Sequence, residues 1–244
     1  VTQYVKEALA STQSNALGNA EMLTMDEMKT NDKRMLVEKH LISPHLAERS
    51  KHGAVLLSKD ESVSIMVNEE DHLRIQVLTS GFDLEHGFQA ASSLDDWMES
   101  HLTYAYDKQY GYLTSCPTNV GTGMRASVMM HLPALAITQQ LQRILPAINQ
   151  LGLVVRGIYG EGSEALGNLF QISNQMTLGK SEQDIIDELQ GVVKQLIQQE
   201  RSARGSLLDH SYLKLMDRVH RSLGILSHSY VIDSKEATRR LSDV

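Results

Sequence analysis

Apolar positions change their spacing repeatedly along the chain, and each change marks an element. Residues 3–10 and roughly 30–42 carry apolar side chains at helical intervals, with Leu36, Val37, His40 and Leu41 on one face and the polar stretch Ser11–Asn19 between the two segments. Ala54-Val55-Leu56-Leu57, preceded by Gly53 and followed by a turn at Ser58-Lys59-Asp60, predicts a short strand. Ser62–Val67 and Leu73–Leu78 alternate with period two and predict an antiparallel pair joined through Asn68–Asp71.

The pattern returns to helix over 84–101, ending near Leu102, and then to a strand over Ser127–Leu132 closed by Pro133. Residues 134–150 predict a helix with a stripe of Leu135, Ile137, Leu141, Leu145 and Ile148. Leu153–Arg156 and Leu169–Ile172 predict strands on either side of a Gly157–Gly167 loop. Ser181, with Asp184 three residues on, opens a long helix to about Arg204, and helices over Leu207–Leu223 and Ser234–Leu241 follow, joined by Gly224–Asp233. Strands and helices in this mixed order predict an α+β fold, a largely antiparallel sheet carrying helices on one face.

Composition narrows the classes. A chain of 244 residues with 41% hydrophobic residues can build a sizeable core, as one large domain or two small ones. Net charge −7 leaves no basic footprint for nucleic acid, and an acidic surface suits a basic partner such as an arginine-rich protein segment. The single cysteine excludes an internal disulfide framework, and with no recognisable signal peptide a reducing cytoplasm is the expected compartment. Apolar runs fall well short of the about 20 residues needed to span a bilayer, so no membrane segment is expected. Internal repeats are absent.

Three passages carry chemistry that packing does not require. Asn68-Glu69-Glu70-Asp71-His72-Leu73-Arg74 and Val155-Arg156-Gly157-Ile158-Tyr159-Gly160-Glu161-Gly162-Ser163-Glu164 each set a carboxylate a few residues from an arginine. Between them, Cys116-Pro117-Thr118-Asn119-Val120-Gly121-Thr122-Gly123-Met124-Arg125 joins one thiol, a glycine-rich turn and an arginine. Taken singly, Arg74, Arg125 and Arg156 read as surface ion-pair residues, Glu70 and Glu161 as solvated loop charges, and Cys116 as a small buried hydrophobe. Gly121, Gly123 and Ala126 satisfy a loose G-x-G-x-x-A dinucleotide fingerprint, but a strand rather than a helix follows, and Gly157, Gly160 and Gly162 make no Walker loop because no Gly-Lys-Ser/Thr comes after them. His40 and His45 straddle Pro44 at a spacing that fits no common metal pair, and no structural zinc is expected.

In their order and spacing the three passages resemble the ATP:guanidino phosphotransferases, over about residues 20–244. The resemblance implies a curved antiparallel sheet whose concave face holds nucleotide, and an enzyme that uses ATP with Mg2+ to phosphorylate a guanidinium. It implies that Arg74, Arg125 and Arg156 bind phosphate, that Glu70 and Glu161 clamp the substrate guanidinium with one of them serving as base, that Cys116 lies against that guanidinium, and that His40 lies near adenine. Magnesium would arrive on the nucleotide, with Glu69 a candidate outer-sphere partner. The run Arg156–Gln175 resembles the branch of the family that phosphorylates arginine side chains of proteins; a kinase of free arginine or another small guanidine, and a catalytically incomplete nucleotide-binding or regulatory fragment, are the alternatives.

The family's upstream Ser-Ser-Arg-x-Arg segment does not occur in this chain, which therefore reads as a shortened relative of a longer enzyme. The expected division is a remnant of a helical N-terminal region over 1–45, a catalytic domain over 46–204, and over 205–244 the helical start of a C-terminal phosphoarginine-binding domain. Implied partners are proteins with exposed arginines, a heat-shock repressor and the Clp protease system in a stress response, with a homodimer admitted.

Overall fold

The computed structural model describes residues 1–10, 20–50, 52–157 and 166–244. They form two compact units, Val1–Gly123 and Met124–Val244.

The first unit is built on a four-stranded antiparallel sheet in the order β1 (Glu21–Thr24), β2 (Ala54–Leu57), β3 (Val63–Val67), β4 (Leu73–Val77). Leu56 pairs with Ile65, and Ile65 with Ile75. All four residues of β2 are buried. Val55 and Leu57 pack with Met66 against Leu36, Leu41, Ile42 and Leu46 from α2 (Thr30–Glu38), α3 (Pro44–Arg49) and the turn between them. Ala54 and Leu56 face the other way, with Ile65 and Val67, against Val5 of α1 (Thr2–Ala10) and Met98 of α4 (Leu84–Glu99). Helices thus cover both faces, not one; the continuous apolar run of β2, rather than an alternating one, is what a strand buried on both sides requires.

The helix expected over 30–42 stops at Glu38. The N–H groups of His40 and Leu41 bond to the carbonyls of Val37 and Leu36 at 3.0 and 2.9 Å, with His40 at φ +59°, which is a Schellman cap whose apolar contact joins Leu41 to Leu36. β1 was not expected from the sequence. Its four residues, EMLT, carry no clear alternation and become a strand through pairing with β2. A small hairpin, β5 (Tyr106–Asp107) with β6 (Gly111–Tyr112), was likewise not expected.

The second unit holds a three-stranded antiparallel sheet with β9 (Leu169–Asn174) between β7 (Ser127–His131) and β8 (Leu153–Arg156). The helix expected over 134–150 is two, α5 (Pro133–Ile137) and α6 (Leu141–Gln150), separated where Gln139 takes φ +58°. α7 (Glu182–His228) opens on a full capping box between Ser181 and Asp184. It runs straight through Gly205, where the sequence pattern had separated two helices, and its helical geometry lapses instead at Ser211. One glycine costs a helix only about 1 kcal/mol, which packing outweighs. Ile185, Ile186, Leu189, Val192, Val193 and Leu196 make its buried stripe. α8 (Ser234–Asp243) is capped by Asp233 and tied to α7 through Arg218–Asp243 and Ser222–Asp243 contacts of 2.6 and 2.8 Å.

The α+β class with antiparallel strands and flanking helices holds. The stretches over 11–19 and 158–165, and with the latter Glu161, lie outside the described residues.

Candidate active site

In the first unit Glu70 and the Cys116 loop come together at the β3–β4 turn, where each letter of Asn68-Glu69-Glu70-Asp71 has its own task. Asn68 takes φ +57°, a conformation asparagine tolerates, and its side-chain amide donates to Thr2 and to the His52 carbonyl, both at 3.2 Å. Glu69 turns inward, its side chain only 6% exposed, and accepts from the Ser43 hydroxyl at 2.6 Å, while the same hydroxyl caps α3 by accepting from Leu46 N–H. Its other oxygen faces Arg74 at 3.7 Å. Burial raises the Glu69 carboxyl, but the bonds from Ser43 and the Glu70 amide and the charges of Arg74 and His45 outweigh it and hold the group below its ordinary value. Glu70 is exposed at the tip of the turn.

Asp71 reaches a segment more than forty residues away. One oxygen accepts from the N–H groups of Ser115 and Cys116 at 2.6 and 3.3 Å, and the other from the Asn119 side-chain amide at 2.8 Å. Cys116 is half-buried, and its sulfur lies 3.0 Å from the Thr118 hydroxyl. The far end of this loop is held by Tyr112, whose backbone exchanges bonds of 2.9 and 3.3 Å with Gly121. Gly111 must be glycine there: it sits at φ +77°, and a Cβ would meet the Gly121 carbonyl oxygen at 2.4 Å. The Tyr112 hydroxyl in turn donates to Asp95 of α4 at 3.3 Å, and burial raises the Asp95 carboxyl despite the nearby Tyr104 and Tyr112 hydroxyls.

Arg74 lies exposed on β4 opposite Met66. His40 is exposed, and its carbonyl accepts from the Gln76 side chain at 2.6 Å, so the Schellman cap and this bond account for its backbone position.

In the second unit the arginines are set by strand register. Arg156, partly buried, ends β8 opposite Gln171 of β9, and Gln171 is opposite Met129 of β7. Paired residues share a face, so Arg156, Gln171, Met129 and Ser127 line one side, with Met129 46% exposed, while Ile172, Met130 and Leu153 belong to the core. Arg125 is exposed just before β7, and the buried Asn174 grips its flanks. Asn174 accepts from Ala126 N–H at 2.8 Å and donates to the carbonyls of Met124 and Met176 at 3.0 and 3.1 Å. Glu200 on α7 caps the start of α5 in the same unit, accepting from the N–H groups of Ala134 and Leu135 at 3.0 Å and from Arg204 at 2.7 Å.

Glu70, Arg74 and Cys116 thus belong to one unit and Arg125 and Arg156 to the other. Sequence reasoning missed Asp71 and Asn174. Asp71 reads as the last member of an acidic run, with nothing to tell it from Glu69 and Glu70; Asn174 was legible only as a polar residue at the buried end of a strand, where an amide must find partners. Among the described residues no three His, Cys, Asp or Glu side chains gather to hold a metal, and no helix is long and apolar enough to cross a membrane.

The description "ATP:guanido phosphotransferase, C-terminal catalytic domain" matches residues 1–203. The chain belongs to this family. Residues 212–244, which begin just past the Ser211 irregularity, match "Protein-arginine kinase McsB C-terminal domain". Over all 244 residues the chain is 79% identical to the protein-arginine kinase of Shouchella clausii and 70% identical to that of Halalkalibacterium halodurans, spanning 68% of each. Over 227 residues, 93% of the chain, it is 65% identical to the protein-arginine kinase of Geobacillus stearothermophilus, of which it covers 62%. The fold resembles that of a lombricine kinase (TM-score 0.68, 24% identity, 84% of this chain and 59% of that one). It also resembles the duplicated taurocyamine kinase of Schistosoma mansoni (TM-score 0.71, 21% identity, 96% of this chain and 36% of that one).

Proposed function

We propose that the chain acts as a protein-arginine kinase, moving the γ-phosphoryl group of ATP to a guanidinium nitrogen of an arginine side chain in a protein. The observation that carries this reading is the 79% identity, without interruption of coverage over 244 residues, to a protein of that name. The loop-held carboxylate and thiol of the first unit, and Arg156 on a strand and Arg125 beside one in the second, are the functional groups that this chemistry needs.

In the step, a guanidinium nitrogen attacks the γ-phosphorus, the N–P bond forms, and the bond to the ADP oxygen breaks. The attacking nitrogen loses a proton to a carboxylate. A guanidinium is a weak nucleophile because its lone pairs are delocalised and it stays protonated throughout the physiological pH range. Glu70 and Glu161 orient it, one of them takes up the proton, and Cys116 packs beside it. Arg74, Arg125 and Arg156 hold the phosphates and offset the charge that builds on the transferring group, the main contribution a protein makes to phosphoryl transfer. Mg2+ enters with ATP as part of the substrate. His40 is assigned to the adenine end.

The family resemblance supports proteins with exposed arginines as substrates, a heat-shock repressor and the Clp system as recipients of the mark, a cytoplasmic setting and a homodimer. It also supports residues 205–244 as the start of a phosphoarginine-binding domain. The test is MgATP-dependent modification of an unfolded arginine-rich protein, read by mass spectrometry under non-acidic conditions that preserve the phosphoramidate. Phosphoarginine is expected with the unaltered chain and not with Glu161→Ala; transfer to free arginine alone would overturn the protein-substrate assignment.

A further inference from the structure

We propose that Asp71 is a positioning residue for phosphoryl transfer, fixing the Cys116 loop to the turn that carries Glu70 so that thiol and carboxylate meet a guanidinium as one preset pair. This rests on the kinase reading above. Both Asp71 oxygens are used, and all three donors lie within Ser115–Asn119: two backbone N–H groups at 2.6 and 3.3 Å and one side-chain amide at 2.8 Å. Bonds to backbone N–H groups set the main chain itself, so they fix the origin of the Cys116 side chain. A carboxylate acceptor makes such bonds stronger than a neutral one would. Glu70 is the residue next to Asp71, so any movement of the Asp71 turn relative to the loop changes the spacing of Glu70 and Cys116.

The two ends of the loop are held differently. At Gly121 the hold is a backbone pairing with Tyr112, backed by the Gly111 contact and by the Tyr112 hydroxyl on Asp95. At Cys116 a long-range hold comes from Asp71, one side chain spanning sequence separations of 44, 45 and 48 residues. Transfer chemistry punishes loss of such a constraint, since a misplacement of about 1 Å can cost on the order of a hundredfold in rate.

The experiment compares the unaltered chain with Asp71→Ala, Asp71→Asn and Asn119→Ala, each checked for folding by its thermal transition. Two readouts are taken: the alkylation rate of Cys116, and the apparent KM values for an arginine-rich protein acceptor and for MgATP. Asp71→Ala is expected to speed alkylation and raise the acceptor KM, each by about tenfold or more, with the ATP KM within about twofold. Asp71→Asn, which keeps one acceptor oxygen, should restore part of both effects, and Asn119→Ala, which removes only the contact to the second oxygen, should show a smaller change in the same direction. Unchanged alkylation in all three variants overturns the tether. Faster alkylation with an unaltered acceptor KM overturns the positioning role and leaves a structural one. No transfer by the unaltered chain counts against the kinase reading instead, and the alkylation rates, which need no turnover, still decide whether Asp71 holds Cys116.

Discussion

Glu70 and Cys116 of the first unit and Arg156 of the second are held by different physical means. In Val1–Gly123, Glu70 and Cys116 sit on a turn and a loop whose positions depend on side chains: Asn68 anchoring the turn, Glu69 tucked under Ser43, Asp71 gripping the 115–116 backbone and the Asn119 side-chain amide. In Met124–Val244, Arg156 ends a strand paired residue for residue with β9, and Arg125 enters β7 through a segment clamped by Asn174. A strand position is secured by a ladder of backbone bonds that opens only with the sheet. A loop secured by a few side chains opens more cheaply and can be tuned by a single substitution. Glu70 and Cys116 therefore sit on adjustable ground and Arg156 on rigid ground, as does Arg74 on β4 in register with Met66, while Arg125 depends on the single Asn174 clamp.

Removing either arginine of the second unit should sharpen that contrast most. Arg125→Ala and Arg156→Ala are expected to lower kcat by about a hundred- to a thousandfold, the cost of losing one donor aimed at developing charge, and Arg125→Ala should shift the unfolding midpoint only slightly, because polar contacts of an exposed side chain contribute little to stability. A midpoint that falls along with kcat would mean that the arginine serves the sheet.

Next in size is Asn174→Ala. It strands the buried Ala126 N–H and removes the donor to the part-buried Met124 and Met176 carbonyls, which should cost about 2 kcal/mol, read by urea denaturation. Activity should fall as well, through Arg125.

A smaller effect concerns Glu69. Its carboxyl titrates below the ordinary 4.5 when folded, so the stability it contributes is present above that value and is lost as pH falls through the lower, folded one. Denaturation midpoints of the unaltered chain and Glu69→Gln should differ at neutral pH and converge as pH drops below 4.5. A gap that persists in acid would assign the difference to shape and not to charge.

The smallest is His40→Gly. Glycine accepts the left-handed cap position without strain, so a gain of roughly 0.5–1 kcal/mol is expected. If His40 also meets adenine, the KM for ATP rises while the melting temperature does; an unchanged KM would confine His40 to its capping task.

Much of the frame was legible in the residues alone. The predicted strands over 54–57 and 153–156 match the observed bounds, and the Ser181–Asp184 start of the long helix forms both bonds of its box. These elements carry their information locally, as periodicity or as a cap, so no distant residue is needed to specify them. Three ordered motifs were enough to indicate the family, and the candidate residues Glu70, Arg74, Cys116, Arg125 and Arg156 could be named from them.

What only the tertiary structure decided is of another kind. β1 exists because β2 offers it an edge, and α2 ends at Glu38 because His40 turns left-handed to seat Leu41 on Leu36. Asp71 and Asn174 gained their tasks from partners brought in from far along the chain. Asp71 is separated by 44 to 48 residues from the donors it binds, and Asn174 by 48 and 50 from Ala126 and Met124. Short-range spacing records a residue's own preference. It carries no record of which unpaired donor the folded chain will place beside that residue, and there the roles of the polar residues that hold these candidates in each unit were settled.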